Sequence, residues 1–308
     1  MDNKLNAVKS SIISFVLGDV IGLNLIFIPK KVLQESHIKD LIKNNNSNIP
    51  YGVWSDDSSM TLCTIKSIID CNKVDLEDIS KKFIAWFDDG FMTPYDKAFD
   101  IGRTTYLALS NKNGDILKGI GDIKNNGNGS LMRILPVSLY CYFNKIRDLD
   151  CFNIIKDTSS LTHAHSISIL GCYIYTTIVF DILDGLDKAE IMKNLKNVYL
   201  RVPEEYRNLL KEYDFNDNNF ISNGYVADSL KIAVWGFNNS NNIKDCIYKI
   251  AQFGGDTDTN CAIGSSLAGL YYGLRGENIA FDDEVIKKDM IIELIDRFIN
   301  IFKVYPLV

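Results

Sequence analysis

Three oxygen-bearing side chains lie close together in one short segment near the C-terminal end of the sequence. Residues 253–260 read FGGDTDTN, in which two glycines precede Asp256, Asp258 and Thr259. Glycine allows sharp turns, so the segment can present all three side chains from one loop. Oxygens crowded at one point repel each other unless a cation or proton offsets the charge, and hard divalent cations prefer such ligands. The segment therefore predicts a metal site, with an ordinary turn or helix cap as the alternative.

A second acidic segment lies in the first quarter of the chain. Residues 51–60 read YGVWSDDSSM and contain Ser55, Asp56 and Asp57 directly before an apolar helical run. Adjacent acids at a helix start are commonly caps that respond to the helix dipole, and this alternative stays open. Two acidic segments in one chain nevertheless favour the metal interpretation over the cap.

Two further segments have residue types suited to binding. Residues 125–133 read NNGNGSLMR, with glycines before a helix predicted to start at about Ser130. A helix that begins this way exposes backbone N–H groups to a phosphate, and Arg133 adds positive charge, although a surface loop is the alternative. Residues 162–166, THAHS, contain two of the three histidines. For His163 and His165 we favour a ligand contact over metal ligation.

Composition sets limits on the class of protein. The 308 residues are 46% hydrophobic and 23% charged, which is enough for a substantial core in one large domain or two smaller ones. A formal net charge of -6 argues against general nucleic-acid binding, which needs a basic surface. The seven cysteines are odd in number and lack a CxxC pair. This pattern indicates neither a disulfide framework nor a zinc ribbon, and it fits a reducing cytoplasm best.

The apolar periodicity predicts helices that would position these segments. They are expected over 4–17, after 55–57, over 75–88, over 96–110 with an interruption at Gly102, on both sides of 162–166, over 223–237 with Tyr225 at the start, after 259, and over about 283–304. The residues after Thr259 are mostly small, so that helix can pack closely on its neighbours and hold the acidic loop rigidly. No regular run of alternating strands is present. An all-helical single domain is the economical interpretation.

The apolar stretch over 11–28 is long enough to be mistaken for a signal peptide or a membrane span. Asp19 lies in its middle, flanked by Gly18 and Gly22. A carboxylate at bilayer depth is costly. We therefore expect a buried helix of a soluble protein that ends in a functional turn at GDVIG, residues 18–22.

Taken together, these segments resemble the ADP-ribosylglycohydrolase family, including its dinitrogenase-reductase-activating type, over nearly the whole chain. The motifs that carry the resemblance occur in the family's order: GDVIG, SDDSSM, DIGRTTYLAL, GNGSLMRILP, THAHS, GYVADSLKIAVWGF and GGDTDTNCAIGSSLAGLYYG. The resemblance implies an all-α orthogonal multi-helix bundle over residues 1–308 and two bound Mg²⁺ or Mn²⁺ ions. The implied reaction is hydrolysis of the glycosidic bond between ADP-ribose and a protein side chain, most often arginine.

The resemblance also implies roles for individual residues. The implied metal ligands are Ser55, Asp56, Asp57, Asp256, Asp258 and Thr259, and six oxygen groups from two remote loops suit a pair of hard cations better than zinc. The implied catalytic carboxylates are Asp57, Asp100 and Asp256. The implied substrate-binding residues are Gly127, Asn128, Gly129, Ser130, Leu131, Met132 and Arg133 for the phosphates and ribose, His163 for positioning, and Tyr225 for stacking on adenine.

The implied partner is an ADP-ribosylated protein or a small ADP-ribose conjugate, with neither nucleic acid nor membrane, and a monomer is the favoured oligomeric state. Loops over 23–50 and 200–222 are expected to recognise the leaving group.

One position departs from the family's pattern. The family usually places a Glu four residues after its Gly-Asp-x-x-Gly turn, and Ile26 stands there in this chain. In relatives this acid is a metal ligand or a substrate gate. Its loss predicts one of three outcomes: a weakened metal site, an altered substrate preference, or a binding protein without turnover.

Overall fold

The computed structural model describes residues 2–26, 28–43, 49–111, 116–217 and 219–304. Within these ranges the regular structure is helical: α1 (Asp2–Leu23), α2 (Lys30–Glu35), α3 (Ile38–Lys43), α4 (Asp56–Cys71), α5 (Leu76–Asp89), α6 (Arg103–Ser110), α7 (Leu135–Phe143), α8 (Asp148–Ser159), α9 (Ser166–Leu183), α10 (Lys188–Lys196), α11 (Val226–Asn239), α12 (Ile243–Ala251), α13 (Thr257–Leu274) and α14 (Lys288–Val304). Two 3-10 segments, Val198–Leu200 and Glu204–Tyr213, follow α10. The predicted all-α orthogonal multi-helix bundle is confirmed.

Helices α1 and α13 lie antiparallel against each other at the centre of the bundle. Their backbones come so close that an added side chain does not fit. A Cβ atom on Gly18 would lie 2.5 Å from the carbonyl oxygen of Cys261, and a Cβ atom on Gly269 would lie 2.7 Å from that of Ser10. The predicted close packing of the helix after the acidic loop is therefore correct, and α1 is its partner.

We expect Gly18→Ala to lower the free energy of unfolding by about 2 kcal/mol. The methyl group overpacks the contact with α13 and outweighs the gain in helix propensity. Thermal and urea unfolding measure the change. Gly121→Ala is the matched control, because a Cβ atom at Gly121 meets nothing closer than 3.8 Å. Equal losses in both variants would show that the α1–α13 contact is not tight.

The other helices surround this pair. Helices α9, α11 and α12 pack on α13, while α4 packs against α5, α7 and α14. Buried hydrophobic side chains from Leu5 to Phe302 form one continuous core. Two helices, α1 and α9, are long and apolar enough to cross a membrane, yet 89% of the apolar window of each is buried inside the protein. Packing in the core accounts for their composition.

The sequence-based predictions were wrong at three places. The GDVIG segment is not a turn, because α1 continues to Leu23 and uses both glycines for close packing against α13. Residues 96–102 are not helical, since Asp96 and Asp100 adopt left-handed backbone angles and α6 begins only at Arg103.

The third error concerns the phosphate-binding helix expected from Ser130. Residues 128–133 form turns, and α7 begins at Leu135 with Pro136 in its first turn. Proline is well suited to a helix start, where its missing N–H costs nothing. Of the loop expected over 23–50, residues 27 and 44–48 lie outside the described residues, and the described part contains α2 and α3.

Candidate active site

The two acidic segments meet in the folded chain. Asp57 lies in the first turn of α4 and Thr259 in the first turn of α13. The Thr259 hydroxyl donates a hydrogen bond to Oδ2 of Asp57 at 3.3 Å, across 202 positions of sequence. The two segments are therefore in contact in the fold.

The side chains of the clustered aspartates do not cap α4 or α13 by hydrogen bonds. Ser55 caps α4 and accepts a hydrogen bond from the backbone N–H of Asp57 at 3.2 Å. Asp256 precedes α13 but makes no capping hydrogen bond. Its Oδ2 instead accepts from the side-chain amide of Asn128 at 2.6 Å. The alternative interpretation as helix caps therefore holds for Ser55. The carboxylates of the aspartates are available for another role.

Asp19 holds the start of α4 in place from within α1. Its buried carboxylate accepts hydrogen bonds from the backbone N–H groups of Ser55, at 3.0 Å, and Ser58, also at 3.0 Å. The Ser58 hydroxyl donates to the same carboxylate at 2.5 Å. Burial raises the pKa of Asp19 to about 6, although these hydrogen bonds act in the opposite direction. Asp19 thus fixes the first acidic segment relative to α1.

The cluster concentrates negative charge with little compensation. Burial, together with the charges of neighbouring aspartates, raises the pKa of Asp56, Asp57 and Asp258 well above the ordinary value. Within the described residues, none of these three carboxyl groups forms an ion pair with Lys or Arg. One oxygen each of Asp57 and Asp258 is buried without a hydrogen-bond partner. Burying a carboxylate oxygen without a partner is energetically costly. Binding of a proton or a cation at these oxygens would therefore stabilise the site.

This donor set suits hard divalent cations. Carboxylate and hydroxyl oxygens are the ligands that Mg²⁺ and Mn²⁺ prefer, and the cluster contains neither His nor Cys. In the described part of the chain, no three side chains of His, Cys, Asp or Glu are arranged closely enough to coordinate one metal ion. The two unpartnered oxygens of Asp57 and Asp258 are the observation that favours a cation here.

A cavity of about 770 Å³ opens above the cluster. The predicted site residues that line it are Asp56, Asp100, Gly127, Asn128, Gly129, Met132, His163, Tyr225, Asp256, Asp258 and Thr259. Ser55 and Asp57 are buried beside the cluster and do not line the cavity. Ile26 lines it together with Asp56, so the position of the family's usual Glu does face this site.

Three of the predicted phosphate-binding residues do not reach the cavity. Arg133 is fully buried, stacks over the ring of Phe83 at 4.6 Å, and donates to the Thr162 hydroxyl at 2.9 Å. Ser130 accepts a hydrogen bond from the Ser159 hydroxyl, and Leu131 belongs to the core. Residues 128–133 turn inward before α7, which takes these side chains away from the solvent. The expectation for Arg133, Ser130 and Leu131 is corrected accordingly.

His163 faces the cavity as a neutral group. Its Nδ1 shares a hydrogen bond with the Thr162 hydroxyl at 2.8 Å, and its opposite edge lies against Gly127 and Gly129. Burial, with the nearby charge of Arg133, lowers the pKa of His163 to about 3. The ring is therefore suited to hydrogen bonding and not to charge. His165 instead caps α9 by accepting from the N–H of Ile167.

Tyr225 lies at the start of α11, on the side of the cavity formed by two paired loops. The backbone N–H of Asn128 donates to the carbonyl of Gly224, and that of Val226 donates to Asn126, both at 3.0 Å. The Tyr225 hydroxyl donates to Glu212 at 3.0 Å, which fixes the ring direction. An aromatic face held in this way can stack on a planar ligand.

Asp100 approaches the cluster from the turn before α6. Burial and the charge of Asp256 raise its pKa, although a hydrogen bond with Asp258 acts in the opposite direction. A hydrogen bond between two carboxyl groups requires a shared proton, which again indicates crowded charge. Asp100, Thr104 and Thr105 line one cavity.

Some residues of the site were missed by sequence reasoning. Asp19 was used as an argument against a membrane span and as part of GDVIG but was given no role of its own, although an acid inside an apolar helix is itself a signal for a buried polar network. Arg103 and Lys124 also line the cavity. Arg103 lies inside the DIGRTTYLAL motif and Lys124 directly precedes the segment 125–133, but neither residue was assigned a role.

Comparison with known proteins adds independent information. The family model described as ADP-ribosylglycohydrolase matches residues 1–304. ADP-ribosylarginine hydrolase Tri1 of Pseudomonas putida is 27% identical over 307 residues, covering 96% of this chain and 80% of that protein. ADP-ribosyl-[dinitrogen reductase] glycohydrolase of Rhodospirillum rubrum is 23% identical over 270 residues, covering 85% and 84%. A solved ADP-ribosylglycohydrolase-related protein complex shares the fold, with a TM-score of 0.72 at 20% identity over 98% of this chain and 99% of that one.

Proposed function

This chain belongs to the ADP-ribosylglycohydrolase family, and we propose that it cleaves the bond between ADP-ribose and an arginine side chain with the help of two Mg²⁺ or Mn²⁺ ions. Its relatives include proteins named as ADP-ribosyl hydrolases, which supports this class of activity. The observation that carries the proposal is the contact between the two acidic segments beneath a cavity large enough for a nucleotide. The likeness to a protein named as an ADP-ribosylarginine hydrolase favours arginine as the linkage.

The residues that would hold the metal ions are Ser55, Asp56, Asp57, Asp256, Asp258 and Thr259. When bound, the two ions would polarise substrate oxygens and lower the pKa of a water molecule. The α1–α13 pair and the hydrogen bonds that Ser55 and Ser58 donate to Asp19 hold the two ligand segments in fixed positions relative to each other.

Asp100 is the carboxylate best placed to accept a proton from the attacking water. It lines the cavity, whereas Asp57 lies beneath its surface and hydrogen-bonds Ser55 and Thr259. A raised pKa also brings a carboxylate closer to the value that suits a general base. Asp256, oriented by Asn128, is close enough to the cavity to stabilise positive charge that develops on the ribose as the guanidine leaves.

The remaining residues position the substrate. Neutral His163 offers a ring nitrogen to a ribose hydroxyl or a phosphate oxygen, and Tyr225 offers its ring to adenine. The partner we propose is an ADP-ribosylated protein or a small ADP-ribose conjugate. We propose that the protein acts on it as a monomer in the cytoplasm and binds neither nucleic acid nor a membrane.

A second candidate is an ADP-ribose-binding protein without turnover. The observation that favours it is Ile26, an apolar side chain in the cavity wall at the position where the family usually has Glu. Loss of that acid removes one oxygen ligand or gate from the site. A hydrolase acting on a different ADP-ribose conjugate is the related alternative.

One experiment separates these functions. We expect the protein to release arginine from ADP-ribosylarginine with Mg²⁺ or Mn²⁺, and to lose this activity when EDTA removes the metal. A panel of defined ADP-ribose conjugates measures the linkage preference in the same assay. ADP-ribose binding by calorimetry without turnover of any conjugate would identify the binding protein, and the absence of both would reject the proposal.

A further inference from the structure

Arg133 and Thr162 form a hydrogen-bonded chain with His163, although neither of them lines the cavity. The Nη2 atom of Arg133 donates to the Thr162 hydroxyl at 2.9 Å, and this hydroxyl shares a hydrogen bond with Nδ1 of His163 at 2.8 Å. We propose that Arg133 and Thr162 are positioning residues that fix His163 in the tautomer with its proton on Nε2. The ring then presents a hydrogen-bond donor to the substrate.

The direction of the chain follows from which atoms carry protons. A guanidinium has only N–H donors, so the Thr162 oxygen accepts from Arg133. A hydroxyl has one proton, and within the described ranges the Thr162 hydroxyl has no acceptor besides Nδ1 of His163. The hydroxyl therefore donates to Nδ1, which carries no proton. A neutral imidazole then has its proton on Nε2.

The guanidinium of Arg133 has few other contacts that use its charge. It is fully buried, and in the described part of the chain its Nε and Nη1 have no hydrogen-bond partner. Besides the Thr162 hydroxyl, its Nη2 meets only backbone carbonyls at the end of α8, with that of Thr158 at 3.2 Å. A buried cation without a carboxylate partner is costly. Its link to Thr162 gives this costly group a role beside the cavity.

The main chain of His163 is held as well as its ring. Its N–H donates to the carbonyl oxygen of Ser159 at 2.9 Å, and its own carbonyl accepts from the Ser159 hydroxyl at 2.9 Å. Rotation of the ring on this fixed backbone would break the hydrogen bond at Nδ1. The ring is thus kept in one orientation as well as one tautomer.

Two glycines leave space in front of the opposite edge of the ring. A Cβ atom on Gly129 would lie 2.8 Å from Cε1 of His163 and 3.3 Å from Nε2, and one on Gly127 would lie 3.5 Å from Nε2. His163 lines the cavity, and among the described residues its Nε2 has no hydrogen-bond partner. An N–H at this place binds only an acceptor atom. That this acceptor is an oxygen of an ADP-ribosyl group rests on the proposed function.

The test uses ¹⁵N NMR of the full chain, labelled at histidine and with Mg²⁺ present, which shows the ring nitrogen that carries the proton. The chain has three histidines, and His163→Gln assigns the signals. We expect the proton on Nε2 in the wild type and on either nitrogen in Thr162→Val, which keeps the shape of the side chain but lacks the hydroxyl. The dissociation constant of ADP-ribose, measured by calorimetry, should rise about three- to tenfold in this variant, because the ring loses its fixed donor.

Three further variants separate positioning from packing. Thr162→Ser keeps a hydroxyl and should return both the tautomer and the affinity to those of the wild type. Thr64→Val is the matched control, since Thr64 is equally buried, does not line the cavity, and donates to the carbonyl oxygen of Met60 in its own helix. Arg133→Met should give the same mixture of tautomers as Thr162→Val. Circular dichroism checks its fold, and the Thr162 variants test the proposal without it.

The outcomes distinguish this positioning role from the function on which its ligand rests. A proton on Nδ1 of His163 in the wild type would overturn the proposal. An unchanged tautomer in Thr162→Val would do the same even if binding weakened, because Thr162 would then affect packing alone. Equal effects in Thr64→Val would also overturn it. If the wild type hydrolysed no conjugate while the spectra and ADP-ribose affinities changed as expected, the hydrolase would be rejected and the positioning role supported.

Discussion

Replacing Asp258 by Asn is expected to lower metal-dependent hydrolysis by more than about a hundredfold, because a cation then loses an anionic ligand from the centre of the cluster. Asp258 is buried, adjoins both Asp100 and Asp256, and has one oxygen without a partner. The same change should raise the free energy of unfolding of the metal-free protein by about 1–3 kcal/mol, since a repelled and unsatisfied carboxylate is replaced by a neutral amide. Activity and stability therefore change in opposite directions.

Steady-state hydrolysis and thermal unfolding with and without Mg²⁺ measure both effects. A bound ion stabilises the native state by mass action, so the wild type should melt at a higher temperature with Mg²⁺ and the variant should not. Asp256→Asn is expected to lose activity in the same way. Glu293→Gln, at an exposed position on α14, should match the wild type in both assays. Full activity in both aspartate variants would rule out the metal cluster as the catalytic centre.

The stability of the metal-free protein is expected to fall as the pH rises from about 4 to 7. Asp19 has a pKa raised to about 6 by burial, so in this window the folded protein holds a proton that the unfolded chain has released. Stability is therefore complete near pH 4 and is lost as pH passes through 6, by about 3 kcal/mol from this group alone. The raised pKa values of Asp56, Asp57 and Asp258 extend the decline to higher pH.

Urea unfolding at a series of pH values in EDTA tests this expectation. Mg²⁺ requires ionised carboxylates, so its stabilising effect should grow over the same pH range. Asp19→Asn keeps an oxygen for the N–H groups of Ser55 and Ser58 but cannot titrate, and should show a shallower decline. Surface acids such as Asp75 behave in the opposite way, because the N–H of Asp78 and Lys73 lower the pKa of Asp75. The contribution of such acids to the stability of the protein is lost only below about pH 4. A stability that is constant from pH 4 to 7 would contradict the charge crowding described here.

The local sequence was sufficient to predict the acidic centre and most helices. Asp56 and Asp57 precede a clear apolar period, and Asp256 and Asp258 follow two glycines, so both segments were recognisable without tertiary information. Their meeting depends on the α1–α13 contact. The run of small residues after Thr259 indicated close packing of that helix but did not identify α1 as its partner. The spacing of the residues alone did not indicate a reaction; the reaction, the metal ions and the residue roles came from the order of these motifs, which matches the family's pattern.

Errors arose where tertiary packing overrode a local signal. The glycines at 18 and 22 were interpreted as a turn, but a glycine that permits a turn also permits two helices to touch, and only the partner helix decides between these uses. Arg133 was expected to meet phosphate because it follows a glycine-rich loop. Its burial over Phe83 depends on the direction in which residues 128–133 turn, which the sequence does not specify.

The antiparallel docking of the first helix on the thirteenth has a consequence for how the protein is made. Half of the acidic centre, residues 55–57, is synthesised about 200 residues before the other half, residues 256–259. Contacts between such distant parts of a chain form late in folding. A fragment of this chain that ends before Asp256 therefore lacks half of the acidic centre.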